Sequence, residues 1–206
     1  MDIQYFGGNC VRITTKQASI VTDGNLDTIG IKPITKADDI VLLSAGGTSK
    51  TGKFVIDQPG EYEISKVSIQ GIPARAHMDE QDKKTATIYK LTANDIRVCV
   101  IGNVHPDLDE DQLESIGTVD VLLVPVGGNG YTLDATGALQ VIKSIEPKIV
   151  IPVHYADSKL KYEVPQAELT DALKNMSLEP KETLPKLKLK SSELPENMEL
   201  IVLERQ

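Results

Sequence analysis

Residues 41–50 read V-L-L-S-A-G-G-T-S-K, a short apolar strand pattern that runs directly into a loop of small residues. Two further runs share its shape. K-I-V-I-P-V-H-Y at 148–155 ends in a lone histidine, and V-L-L-V-P-V-G-G at 121–128 ends in a glycine pair. Short continuous apolar runs closed by turn residues are the pattern of strands buried on both faces. The chain around them completes the layout.

Upstream, Ile3, Tyr5, Val11, Ile13, Ile20 and Val21 lie in β-prone runs broken by Gly7-Gly8-Asn9 and Asp23-Gly24-Asn25. Strand patterns continue through 53–72 around the Pro59-Gly60 turn, and again at 86–91 and 96–101, with Asn94-Asp95 as a hairpin turn. The polar stretch 77–84 reads as a loop. This first half reads mostly as a β-meander. The second half alternates. A helix is predicted over 107–116, with acidic residues in its first turn to suit the helix dipole. A second spans Asp134 to Ile145, with Asp134 as its cap and Pro147 as its end. A third spans Pro165 to Met176. Buried strands fall at 119–126 and 148–153, and the last strands at 186–190 and 198–204. Strand-rich first, then strand–helix alternation, predicts an α/β fold of two packed sheets with helices outside. With no repeat and no dividing linker, 1–206 is expected to form one domain.

Composition narrows the function classes. Trp is absent and Phe occurs twice, so aliphatic side chains must build the core. A formal net charge of −8 repels phosphate backbones, which argues against nucleic acid as a partner. Cys10 and Cys99 lie in apolar runs and are expected as buried thiols. The start M-D-I-Q-Y-F has no basic segment and no long apolar stretch, so a cytoplasmic location and no membrane association are expected.

Together with V-I-D-Q-P-G-E-Y-E-I at 55–64, the three strand-and-loop motifs resemble the metallo-β-lactamase superfamily, nearest its lactonase-like, predicted zinc-dependent hydrolases. The resemblance runs from the N-terminal strands to about residue 155. It implies a four-layer αββα sandwich with a pocket at one edge of the two sheets. In that branch the first strand runs into H-x-H-x-D-H, the core of the metal site. Here the same slots hold Ala45, Gly47, Ser49 and Lys50. Two of these carry no donor atom, a neutral serine is a poor zinc ligand, and a lysine cation repels another cation. Other matches survive. His77 and His154 align with metal histidines. Asn103 stands where the bridging aspartate is usual, and a neutral amide supplies no charge to hold two dications. His105 matches loosely a histidine just beyond that position. Asp23 matches an aspartate that buttresses the metal loop. Tyr131 closes V-G-G-N-G-Y, a loop that resembles one wall of the cleft.

Catalytic zinc takes three protein ligands and lowers its water to a pKa of about 7. Two matched histidines fall short of that. Asp23, Asn103, His105 and Tyr131 are therefore expected as pocket residues, and His77 and His154 as retained histidines with no metal. No G-x-S-x-G elbow accompanies Ser44 or Ser49, and the glycine loop lacks P-loop and Rossmann spacing. The leading expectation is a metal-free pseudoenzyme or small-ligand-binding protein that needs no cofactor. The alternative is an active metal-dependent hydrolase of lactones, phosphodiesters or related esters, with zinc or another divalent ion on an atypical site using His77 and His154. A third reading is an oligomeric interaction protein, with a second copy as partner.

Overall fold

The computed structural model describes residues 1–49 and 51–206; Lys50 lies outside the described residues. The chain opens with β1 (Asp2–Gly7), β2 (Cys10–Thr14) and β3 (Ser19–Thr22), an antiparallel set turning at Gly7-Gly8. β4 (Ile40–Leu42) and β5 (Phe54–Ile56) then add in parallel to β3. The expected meander is corrected here. Three-residue strands carry too little period to reveal their direction, and the connection 23–39 returns the chain to the same edge without an α-helix to announce a crossover.

β6 (Gly60–Ile64), β7 (Val67–Ala74), β8 (Ala86–Ala93) and β9 (Ile96–Val100) are antiparallel neighbours. Asn94 and Asp95, at φ 52° and 59°, make the β8–β9 hairpin, the left-handed pair that a two-residue turn of matching twist requires. After α1 (Glu110–Ile116), the chain builds β10 (Val121–Pro125), α2 (Ala135–Ile145), β11 (Ile149–Val153) and α3 (Leu169–Met176). β12 (Glu182–Leu184), β13 (Leu187–Lys188) and β14 (Glu199–Leu203) close it. The six-stranded sheet has the order β13-β1-β2-β3-β4-β5, and the eight-stranded sheet β12-β14-β11-β10-β9-β8-β7-β6.

The doubly buried runs behave as their pattern predicts. Val121 and Leu123 of β10 face the core between the sheets, while Leu122 and Val124 face the helices. Ile149 and Ile151 of β11 face inward and Val150 outward, so period-two alternation sorts one continuous apolar run between two cores. All three α-helices among the described residues cover that outer face, through Ile116, Val141 and Met176. The outer face of the six-stranded sheet is covered instead by a 3₁₀ turn, Leu26–Ile29, and the loop after it, with Leu26, Ile29, Ile31 and Ile34 packed on Cys10 and Val21.

Helix ends follow local chemistry. Asp109 and Gln112 form a capping box at α1, and the Asp134 carboxylate accepts from the Gly137 N–H at α2, as expected of it. α3 begins at Leu169, later than its predicted start at Pro165. The Ala167 N–H donates to Gly127 O at 2.7 Å and its carbonyl accepts from Ala156 N–H at 2.9 Å, which holds this stretch extended. β12 was not expected. No helix among the described residues is long and apolar enough to cross a membrane.

Candidate functional site

β3, β4, β9, β10 and β11 all point their carboxyl ends toward one rim of the sandwich, and the loops that leave them meet there. Ligands in parallel-sheet proteins sit at such ends. The resulting cleft holds about 210 Å³. Its lining includes the β1–β2 turn at Gly8 and Asn9, Asp23 after β3, Ser44 to Gly46 after β4, Asn103 after β9, Tyr131 after β10, and His154 after β11. Four sequence-predicted residues therefore come together: Asp23, Asn103, Tyr131 and His154. The other two, His77 and His105, stack on each other at 6.1 Å between ring centres and are not among the lining residues.

Asp23 is half-buried and adopts a left-handed φ of 43°. One carboxylate oxygen accepts the Ser44 N–H and the other the Ser44 hydroxyl, both at 2.7 Å. Burial of the carboxyl group outweighs these two bonds and pushes its pKa up to about 6. Ser44 is itself fixed against Gly102, where a Cβ would lie 2.5 Å from the serine hydroxyl oxygen. Across the cleft, Asn9 Nδ2 donates to Asn103 Oδ1 at 2.8 Å, while Asn9 Oδ1 is buried with no donor among the described residues.

His154 is 5% exposed and follows β11 with φ 53°, a left-handed turn that costs a non-glycine residue about 1–2 kcal/mol. Its N–H donates to Gly8 O at 2.9 Å, tying the two sheets together at the cleft. The ring lies between Tyr162, 4.9 Å away, and Tyr131, 5.8 Å away. Gln166 Nε2 donates to Val164 O at 2.9 Å, which leaves Gln166 Oε1 to accept from His154 Nδ1 at 3.2 Å. Burial holds the imidazole pKa below its ordinary value, with the Gln166 bond acting the other way. Gln166 Oε1 can only accept, so the bond places a proton on His154 Nδ1. His105 is also held low, first by desolvation and then by Arg75, and its Nδ1 accepts the Asp107 N–H at 3.3 Å. Sequence reasoning missed Asn9, Gln166 and Tyr162. Asn9 reads as a turn residue, and the other two sit in a loop with no motif of its own.

A catalytic divalent ion needs about three converging donors and an open position. The cleft offers His154 Nε2 and an Asp23 carboxylate already accepting two hydrogen bonds. The loop after β4 adds Ala45 and Gly46, which have no donor side chain, and the matched Ser49 hydroxyl donates to Thr51 O. Among the described residues, no three His, Cys, Asp or Glu side chains gather as a metal-binding group. The donor set of the described residues does not fit such an ion.

Residues 2–154 match a family model described as a beta-lactamase superfamily domain. The chain is similar to a UPF0173 metal-dependent hydrolase of Archaeoglobus fulgidus, 25% identical over 120 residues, covering 55% of this chain and 46% of that one. The chain therefore spans about half the length of that curated relative. A UPF0173 protein of Pyrococcus abyssi is 26% identical over 183 residues, covering 75% of this chain and 83% of that one. Among solved structures, a putative Zn-dependent hydrolase of the metallo-β-lactamase superfamily from Thermotoga maritima superposes with TM-score 0.79 at 30% identity, covering 99% of both chains. Igni18, a metallo hydrolase from Ignicoccus hospitalis, shares the fold at TM-score 0.62 and 17% identity, covering 85% of this chain and 90% of that one.

Proposed function

The chain belongs to the metallo-β-lactamase superfamily, and we propose that within it this protein keeps the cleft, works without a metal ion, and holds a small molecule there. One observation carries this reading. The loop after β4, where the family pattern expects its metal histidines, gives the cleft Ser44, Ala45 and Gly46, and the Ser44 hydroxyl is committed to Asp23. A hydroxide nucleophile at neutral pH needs a dication on its water. No described residue of this loop adds a histidine or carboxylate donor. What remains is a half-open hollow of mixed polar and apolar lining with a buried histidine at its edge, which suits binding better than hydrolysis.

The test is metal content and turnover measured on one preparation purified without chelator. The expected result is substoichiometric zinc, manganese and iron, no thermal shift when each ion is added, and no chelator-sensitive cleavage of lactones or phosphodiesters. About one equivalent of metal that disappears in His154→Ala or His77→Ala, together with chelator-sensitive turnover, would establish the other reading, an active hydrolase on an atypical site. The relatives' description as metal-dependent hydrolases is what supports that second reading.

A further inference from the structure

The His154 ring edge that faces the cleft has no donor among the described residues. Gln166 Oε1 accepts from Nδ1–H, so in the neutral ring Nε2 carries the lone pair. Its ring neighbour Cδ2 lies 4.0 Å from where a Cβ would stand on Gly8, and Gly8 lines the cleft. Asn9 Oδ1 is a second acceptor without a donor among the described residues; it is covered in this conformation, so the amide must turn toward the cleft before a hydroxyl can meet it, and leaving it unpaired costs about 1–3 kcal/mol. In the loop after β4, the N–H groups of Gly46, which lines the cleft, and of its neighbour Gly47 donate to no described residue. Their φ values of 67° and 111° and the lack of any Cβ leave that backbone open to approach.

Charge narrows the occupant further. No cationic side chain among the described residues lines the cleft, and its one carboxylate, Asp23, already accepts twice from Ser44. A phosphate finds no cationic side chain among the described lining residues, and an ammonium would have to share the Asp23 carboxylate with Ser44. A group that both donates and accepts without carrying charge satisfies both sides, and hydroxyl is that group. Tyr131 supplies a flat apolar face for a ring. The volume of 210 Å³ lies below the range of about 300–1,000 Å³ typical of drug-sized ligands, which leaves room for one sugar ring. An adjoining hollow of about 430 Å³ shares Asn25 and Thr28 with the cleft and continues it past Thr35, Thr48 and Thr51, with Asp27 at its side.

We propose that the cleft binds a neutral polyhydroxylated molecule of monosaccharide size, its hydroxyls donating to His154 Nε2 and Asn9 Oδ1 and its ring lying against Tyr131. This rests on the metal-free reading of the same site. The test is saturation-transfer NMR and calorimetry on the full chain with D-glucose, D-ribose and myo-inositol, set against gluconate and glucose 6-phosphate. At least one neutral compound is expected to bind with a Kd of ~1 mM or tighter. Tyr131→Ala and Asn9→Ala should each weaken it about tenfold, or ~1.4 kcal/mol, and Phe54→Ser on the distant β5 edge should leave it unchanged. Melting curves for both cleft variants establish that they are folded. Tyr131 is half-exposed, so its variant is the safer one. No saturation transfer from any neutral compound at ~10 mM overturns the proposal, as does binding of the anionic compounds alone or binding indifferent to Tyr131. Metal content separates the two levels: a metal-poor protein that ignores sugars sinks only this inference, whereas a metal-loaded, chelator-sensitive enzyme sinks the reading beneath it.

Discussion

Gly127 carries no side chain because none fits. A Cβ there would lie 2.1 Å from Gln166 Oε1 and 2.2 Å from the His154 carbonyl oxygen, although the glycine's φ is not in the left-handed region. The constraint is close approach, and it acts on the residues that set the His154 tautomer. Gly127→Ala must push Gln166 away from Nδ1 or shift the strained backbone at His154. Overpacking of this kind costs about 1–3 kcal/mol. Chemical denaturation should show that loss, and nitrogen chemical shifts of the His154 ring should lose the Nδ1–H signature expected of the parent protein. Unchanged stability together with unchanged ring shifts would remove Gln166 from its positioning role.

At the scale of the elements, Asp120 joins three strands. It is fully buried just before β10, accepts Arg97 Nε of β9 at 2.8 Å and Nη2 at 2.9 Å, accepts the Arg97 N–H, and lies 3.6 Å from Lys148 at the start of β11. Its backbone carbonyl also accepts from Ile149 N–H. Removing one partner of such a pair strands the other, at a cost of about 3 kcal/mol here, the low end of the range because Arg97 keeps a third of its exposure. Asp120→Ala should lose that much in urea unfolding, and Asp120→Asn less; a change within experimental error would show that the strands align without it. The sequence displays these strands through their apolar runs, but nothing in a run names Arg97 as the partner of Asp120. The same limit applied elsewhere. The Asn94-Asp95 turn, the Asp134 cap and the leucine–lysine alternation around β13, where Leu187 and Leu189 are buried and Lys188 and Lys190 exposed, were legible because each is decided within a few residues. The parallel addition of β4 and β5, the brief β12 and the late start of α3 were not, because each is decided by a distant partner. In the cleft, the family resemblance pointed to Asp23, Asn103, Tyr131 and His154. The Asn9–Asn103 and His154–Gln166 bonds that define their chemistry cross 94 and 12 residues and left no local mark.

For the whole molecule, carboxylates of two kinds oppose each other in their response to pH. Burial disfavours the charge on Asp39, Asp120 and Asp157, but their guanidinium partners Arg12, Arg97 and Arg205 outweigh it and hold all three below the ordinary carboxylate value. Their stabilisation is present above that value and is lost as pH falls through their lowered pKa values. Asp23 runs the other way. Its folded-state pKa is raised, so its contribution is fully present below the ordinary carboxylate value of 3.8 and is lost as pH rises through about 6. The net charge of −8 adds self-repulsion that also eases on acidification. Stability is therefore expected to peak in mild acid. At about 1.36 kcal/mol per pH unit of displacement, Asp23 should make the fold about 1 kcal/mol more stable near pH 5 than near pH 7, and somewhat less where solvent reaches this half-buried residue. Asp23→Asn isolates its share. The amide cannot accept from both Ser44 groups, so the variant is uniformly weaker, but its stability should be flatter between those two pH values while acid unfolding through Asp39, Asp120 and Asp157 persists. Denaturation midpoints for both proteins across this range check it. An Asp23→Asn protein whose slope matches the parent's would assign the acid gain to overall charge and leave Asp23 ionised throughout.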